Sequence, residues 1–285
     1  MVQREASRIL VGRATRDGAG VALRRVFGFG DEAFLDPFLL LDDFGSDDPD
    51  DYLPGFPWHP HRGIDTVTFV LSGRVRHGDS LGNSGVIGPG DAQWMTSGSG
   101  VIHEEMPLET PGAFRGLQLW VNLASADKMR APEYRGVESA RVPRVPFSGG
   151  EARVLSGSLF GASGAVSGVS RAPLYAIVDA EPDGEFSVPT ERGATCFAYA
   201  LEGSLRSGAA ELSARSCLLF GDGDSALLRA GREGCLFAFA CAHPLREPVA
   251  WRGPIVMNTV EELDRAFDEL KRGTFVREGA PGGRA

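Results

Sequence analysis

The sequence predicts an all-β protein built from two barrels, with one short helix near its C-terminal end. Glycine (38 residues) and proline (18) punctuate the 285-residue chain at short intervals, and the apolar runs between them have strand rather than helix length. Helical periodicity is clear in a single segment close to the end. At roughly 100–200 residues per domain, the length fits two domains.

Taken in order, Val21 to Phe27 and Phe38 to Leu41 read as the first strands. The acidic stretch Asp42 to Asp51 reads as a solvated loop, because it lacks the ordered ligand spacing of a calcium loop. A dense β region follows. Thr66 to Leu71 is a strand, and a hairpin runs through Arg74 to Asp79. A Pro89-Gly90-Asp91 turn precedes strands at Ala92 to Met95, Val101 to Met106 and Gly116 to Leu123. The two Val-Pro pairs and the Ser-Gly-Gly end of 135–150 mark a linker. The expected division is a metal-binding barrel over 1–134, the linker over 135–150, a second barrel without metal over 151–250 and a tail over 251–285. Ala194 to Leu205 repeats the pattern of Asp65 to Val75, a weak sign of duplication. In the tail, Thr259-Val260-Glu261-Glu262 is a capping box. Val260, Leu263, Phe267 and Leu270 recur at helical spacing before Gly273.

The formal net charge of −9 repels a polyanion, so direct DNA or RNA binding is not expected. No basic amphipathic helix favours a membrane surface, and no apolar run is long enough to span one. The polar start Met1-Val2-Gln3-Arg4-Glu5 lacks a leader pattern, which makes the cytoplasm the expected location. All four cysteines (Cys196, Cys217, Cys235, Cys241) lie in the second half among apolar or small neighbours, as buried, reduced thiols do.

Of the five histidines, three fall in two motifs: His59-Pro60-His61 and His103-Glu104-Glu105. In extended chain, residues i and i+2 share a face. His59 projects with His61, and His103 with Glu105, while Glu104 points the other way. Two such strand ends meeting inside a barrel would bring three imidazoles and a carboxylate to one point. That donor set suits iron, copper, nickel, zinc or manganese and leaves positions open for substrate or O₂. A structural zinc site would be closed and rich in cysteine, and this half of the chain has none.

The residues Phe56-Pro57-Trp58-His59-Pro60-His61-Arg62-Gly63 carry a family resemblance. So do Asp36-Pro37-Phe38-Leu39-Leu40-Leu41-Asp42-Asp43-Phe44, Gly90-Asp91-Ala92-Gln93-Trp94-Met95-Thr96, Ile102-His103-Glu104-Glu105-Met106-Pro107 and Gly116-Leu117-Gln118-Leu119-Trp120. Together with Gly253-Pro254-Ile255-Val256-Met257-Asn258-Thr259, they resemble the pirin family of bicupins over nearly the whole chain. The resemblance implies two stacked cupin (double-stranded β-helix, jelly-roll) barrels and a monomer. It also implies Fe(II) on His59, His61, His103 and Glu105, with Mn, Ni, Cu or Zn as substitutes. Two activities come with it: a quercetin 2,3-dioxygenase acting on a flavonol with Glu105 as general base, or an iron-dependent regulator that binds a protein partner. Asp65, near where many cupins place a glutamate ligand, is expected behind the ligands at most. The matching region of the second half, Val188 to Gly193, has no histidine, and His243 falls beyond its last strand, so that barrel is expected to be metal-free. His77 is expected to hydrogen-bond within its hairpin, Trp94, Trp120 and Gln118 to form core or pocket wall, and Trp58 to stand at the rim.

Overall fold

The structure is a computed structural model that describes residues 2–277. It is mostly β, with two cupin domains and a short C-terminal helix. Its contacts divide into two compact units that do not follow chain order. One comprises the segment up to Arg13, Phe34–Pro37 and Ala140–Pro244; the other comprises Ala14–Ala33, Phe38–Ser139 and the segment from Leu245 onward. The strand Ala6–Val11 pairs with Ser216–Phe220, which places the start of the chain with the second barrel. The tail as far as residue 277 packs in the first, and its residues 278–285 lie outside the described residues.

The stretch 135–150, expected as a linker, contains the boundary between the two units at Ser139 and Ala140, and about half of it is paired in strands on either side. Glu133–Val137 joins Ala92–Thr96, and Arg144–Phe147 joins Gly150–Ser156. Each segment pairs along a neighbouring strand, and in Arg144–Phe147 backbone pairing outweighs the turn-forming tendency of Pro146. The acidic stretch also departs from expectation. Phe38–Ser46 is one strand, so Asp42 and Asp43 are buried in it rather than solvated. Arg25 stands opposite Asp42 on Val21–Phe27 and holds its carboxylate through two bonds of 2.9 and 2.7 Å. Only Asp47 onward leaves the strand, and there Asp48 caps a single helical turn, Pro49–Tyr52.

In the first barrel a seven-stranded sheet carries Ala92–Thr96, Ile64–Ser72, Phe114–Asn122 and Phe38–Ser46 as neighbours. A four-stranded sheet carries Phe56–His61, Val101–Leu108, Arg74–Asp79 and Ser84–Ile87. The tail adds a hairpin, Ala250–Arg252 with Ile255–Met257, and the helix Val260–Lys271, whose Thr259–Glu262 capping box is fully formed. Leu263 and Ala266 of that helix are buried with Ile255, Met257 and Phe275. Gly63, at φ +79°, lets the hairpin approach the end of Phe56–His61: a Cβ there would lie 1.9 Å from the Val256 carbonyl oxygen.

The second barrel is a nine-stranded sheet curled around an apolar interior that includes Val178, Phe186, Val188, Ala198, Leu218, Leu228 and Phe239. Two of its cysteines correct the expectation of reduced thiols. Cys196 and Cys241 face each other on neighbouring antiparallel strands with Cα atoms 4.1 Å apart, and they form a disulfide. Directly opposed positions of such a ladder bring side chains within bonding reach, a relation hidden by 45 residues of sequence separation. Cys217 and Cys235 are free and buried.

Candidate metal centre

Phe56–His61 and Val101–Leu108 are antiparallel neighbours, with His61 opposite Val101 and His59 opposite His103. Alternation puts His59 and His61 on one face, and the register sets His103 beside them. The three rings stand 4.4, 4.8 and 5.0 Å apart by centroid, with donor nitrogens all within 4.8 Å of one another. Among the described residues this is the one cluster of histidine, cysteine or carboxylate groups with that geometry.

The hydrogen bonds fix which nitrogens are available. A carbonyl oxygen can only accept, so His59 Nδ1 donates to Pro57 O at 2.8 Å and His61 Nδ1 donates to Pro254 O at 3.1 Å. The two Nε2 atoms then face each other at 3.0 Å. Burial, reinforced by the neighbouring imidazoles, holds His61 and His103 well below the usual histidine range and therefore neutral. Neither nitrogen of the buried His103 has a hydrogen-bond partner. Facing lone pairs and an orphaned buried ring are unfavourable by themselves, and a cation among them satisfies all three.

Glu105 is placed differently from its expected position beside the three rings. It is not in the histidine cluster. Its Oε1 accepts from Thr68 Oγ1 at 2.9 Å and from Gln93 Nε2, and its Oε2 accepts from Gln118 Nε2 at 2.7 Å. The ladder to Phe56–His61 slips by one residue between His103 and Glu105, so Glu105 stands opposite Phe56. The ladder on the other side is unbroken and pairs Glu105 with His77. The carboxylate reaches the facing sheet, where Thr68, Gln93 and Gln118 lie in one cross-strand row.

Thr68 and Gln93 were not legible as site residues. The available signal was a glutamine inside the otherwise apolar run Ala92-Gln93-Trp94-Met95, since a buried amide demands a partner. Asp65 lies three positions from Thr68 and so on the opposite face, where its Oδ2 accepts from Trp94 Nε1 at 3.0 Å. Both residues belong behind the site, and burial pushes the Asp65 carboxyl up to about 6. His77 bonds Asp79 at 3.1 Å and stacks on Tyr134 at 4.3 Å, as a hairpin histidine with structural work, though its ring is also 5.6 Å from His103. His243 pairs with Glu191 on the exposed surface.

A cleft of about 760 Å³ opens onto His59 and His61, within the range of small-molecule sites. Trp120 stands 5.0 Å from His61 and donates to Gln118 Oε1 at 2.9 Å, so the pocket wall is tied to the cage around Glu105. Trp58 is at the rim, 56 % exposed. No described helix is long and apolar enough to cross a membrane.

Two cupin domains, one of which gathers three imidazoles, two of them lining a cleft, define a bicupin with a candidate mononuclear metal centre. The Pirin model matches residues 20–121, and the Pirin C-terminal cupin domain matches residues 175–276. The chain is 41 % identical over 277 residues to a Pirin-like protein of Caulobacter vibrioides, covering 96 % of this chain and 100 % of that one. It is 38 % identical to Pirin of Homo sapiens, over 92 % and 90 % of the two chains. The solved structure of a quercetin 2,3-dioxygenase from Acinetobacter baumannii superposes with a TM-score of 0.89 at 30 % identity, over 98 % and 99 %. The chain belongs to the pirin family.

Proposed function

We propose that this protein is a metal-dependent dioxygenase that opens the central ring of a flavonol such as quercetin, with Fe(II) held by His59, His61 and His103 and with Glu105 as a fourth ligand. The observation that carries the reading is the set of three imidazoles with uncommitted Nε2 atoms or an orphaned ring, at the inner end of an aromatic-walled cleft. The similarity to the Acinetobacter baumannii enzyme supports it.

His59, His61 and His103 would hold such a metal, which when bound would supply Lewis-acid polarisation of an enolic hydroxyl and reactivity toward O₂. The chain's own residues do the rest. Pro57 and Pro254 carbonyls hold two rings in the tautomer that presents Nε2. Gln93, Gln118 and Thr68 aim the Glu105 carboxylate, which takes the hydroxyl proton at Oε2 once Gln118 releases it. Trp120 lines the cleft beside His61 and forms part of the apolar wall against which a flat ring would lie. Both atoms of O₂ enter the ester product, and one ring carbon leaves with its own oxygen as carbon monoxide. The equation balances without an external reductant.

The test is oxygen uptake and loss of quercetin absorbance by protein loaded anaerobically with Fe(II), against a His59→Ala/His61→Ala control. Turnover that requires both histidines is the expected result. Glu105→Gln should retain metal yet lose most turnover; full activity in that variant removes Glu105 as base. A protein-binding regulatory role draws on a different observation, the exposure of Phe29 (76 %) and Trp58 (56 %) at the same mouth. Tight iron binding with no oxygen uptake would favour that role.

A further inference from the structure

The ring contacts do not stop at the wall beside the histidines. His61 meets Trp120 at 5.0 Å, Trp120 meets Trp251 at 6.1 Å, and Trp251 meets Phe29 at 5.6 Å. The line runs from the metal-facing ring to the outer lip of the cleft and ends on a phenyl ring that is 76 % exposed. An aromatic side chain left in water at a cavity mouth, edge-on to a second ring, is an incomplete stack. Gly28 and Gly30 flank Phe29, and Gly30 has φ +96°, so this loop presents the ring at the lip.

The charges around the cleft are already balanced. Arg25 is held by Asp42 and by Asp17 at 2.6 Å. Arg252 is held by Asp264 at 3.0 Å and lies over the Phe267 ring. Every charged side chain that lines the cleft, among the described residues, belongs to one of these ion pairs or is an acid within them. A carboxylate or phosphate entering here would lose water without gaining a free cation.

We infer that Phe29 and Trp251 form an outer ring-binding subsite that selects an uncharged, planar substrate with a pendant aromatic ring, held while its enolic end reaches the histidines. The inference rests on the proposed reading in taking the enolic end to the metal, but its own content is the outer ring and the neutral charge.

Nickel(II)-loaded protein, titrated calorimetrically with 3-hydroxyflavone and with 3-hydroxychromone, which lacks the pendant ring, isolates the subsite from turnover. The parent should prefer the flavone. Phe29→Ala and Trp251→Leu should each lower that preference about three- to tenfold, the scale of one aromatic pair, with Trp251→Phe restoring most of it and nickel affinity held. A flavone carrying a carboxylate on its pendant ring should bind about tenfold more weakly than the parent compound. Phe29 is too exposed for its loss to unfold the chain, so an unchanged preference in Phe29→Ala and Trp251→Leu overturns the subsite, as do equal losses for both ligands. Equal binding of the carboxylated flavone overturns the neutral-substrate claim. Absence of oxygen uptake by the iron-loaded protein, with the ring preference intact, removes the dioxygenase reading and leaves the subsite standing.

Discussion

The two barrels line their strand ladders with different chemistry. In the first, His59 and His61 lie on a strand paired to the one bearing His103. In the second, Phe186 and Val188 lie on a strand paired with Leu228 and Ala226. In the first, the row Gln93–Thr68–Gln118 crosses three strands; in the second, the corresponding row is Leu218–Ala198–Phe239. All of these second-barrel residues belong to one apolar core. A barrel interior can therefore be closed by hydrophobic packing, which stabilises it directly. It can instead be closed by a polar cluster whose burial is unfavourable until hydrogen bonds and a metal satisfy it. Among the described residues, the histidine cluster with metal-binding geometry lies in the first barrel, and the interior of the second is apolar.

The largest test of that division is His59→Ala with His61→Ala. Tight nickel binding by calorimetry should vanish, whereas His243→Ala should leave it untouched. Binding that survives the double variant would mean the cluster is not the centre. Next comes the opposite change in the second barrel. Phe237 is wholly buried, and Phe237→Ala should cost about 3–5 kcal/mol in urea unfolding, with metal affinity unaltered in the fraction that remains folded.

Asp65 sharpens the comparison through pH. Burial raises its carboxyl from 3.8 to about 6 in the folded protein. A raised folded-state value means that this group favours folding most below about pH 4, and that this contribution is lost as pH rises through about 6. By linkage the loss is on the order of 3 kcal/mol. Asp65→Asn should be more stable than the parent at pH 7.5 and nearly equal to it at pH 4, as measured by urea midpoints; a parallel pair of curves would show that Asp65 does not titrate there. The smallest effect concerns the cage. Gln118→Leu removes a donor to Glu105 and the acceptor of Trp120, and outer-shell losses of this kind weaken metal binding about 10- to 100-fold. If both Gln118→Leu and Glu105→Gln left nickel affinity unchanged, the centre would be the three histidines alone.

Much of this was legible in the chain. The i, i+2 spacing of His59 and His61 and the Thr259–Glu262 cap are local relations, set by the two-residue period of a strand and the geometry of one helical turn. They hold in whatever fold the segment joins. The strands around the site were readable for the same reason, although Phe38–Ser46 ran past its apolar residues because Arg25 stood opposite Asp42 to neutralise it.

Other features depended on register. The row of Gln93, Thr68 and Gln118 that meets Glu105, the opposition of Cys196 and Cys241, and the pairing within 135–150 follow from which residues stand across from each other. No local period encodes that. The Pro254 carbonyl reaches His61 across 193 residues of chain, and Trp251 arrives on the same hairpin. The sequence by itself determined the three imidazoles and their shared face. The tertiary structure decided what orients them, where the carboxylate points and what walls the cleft, because those are set by contacts between segments whose proximity exists only once the chain has folded.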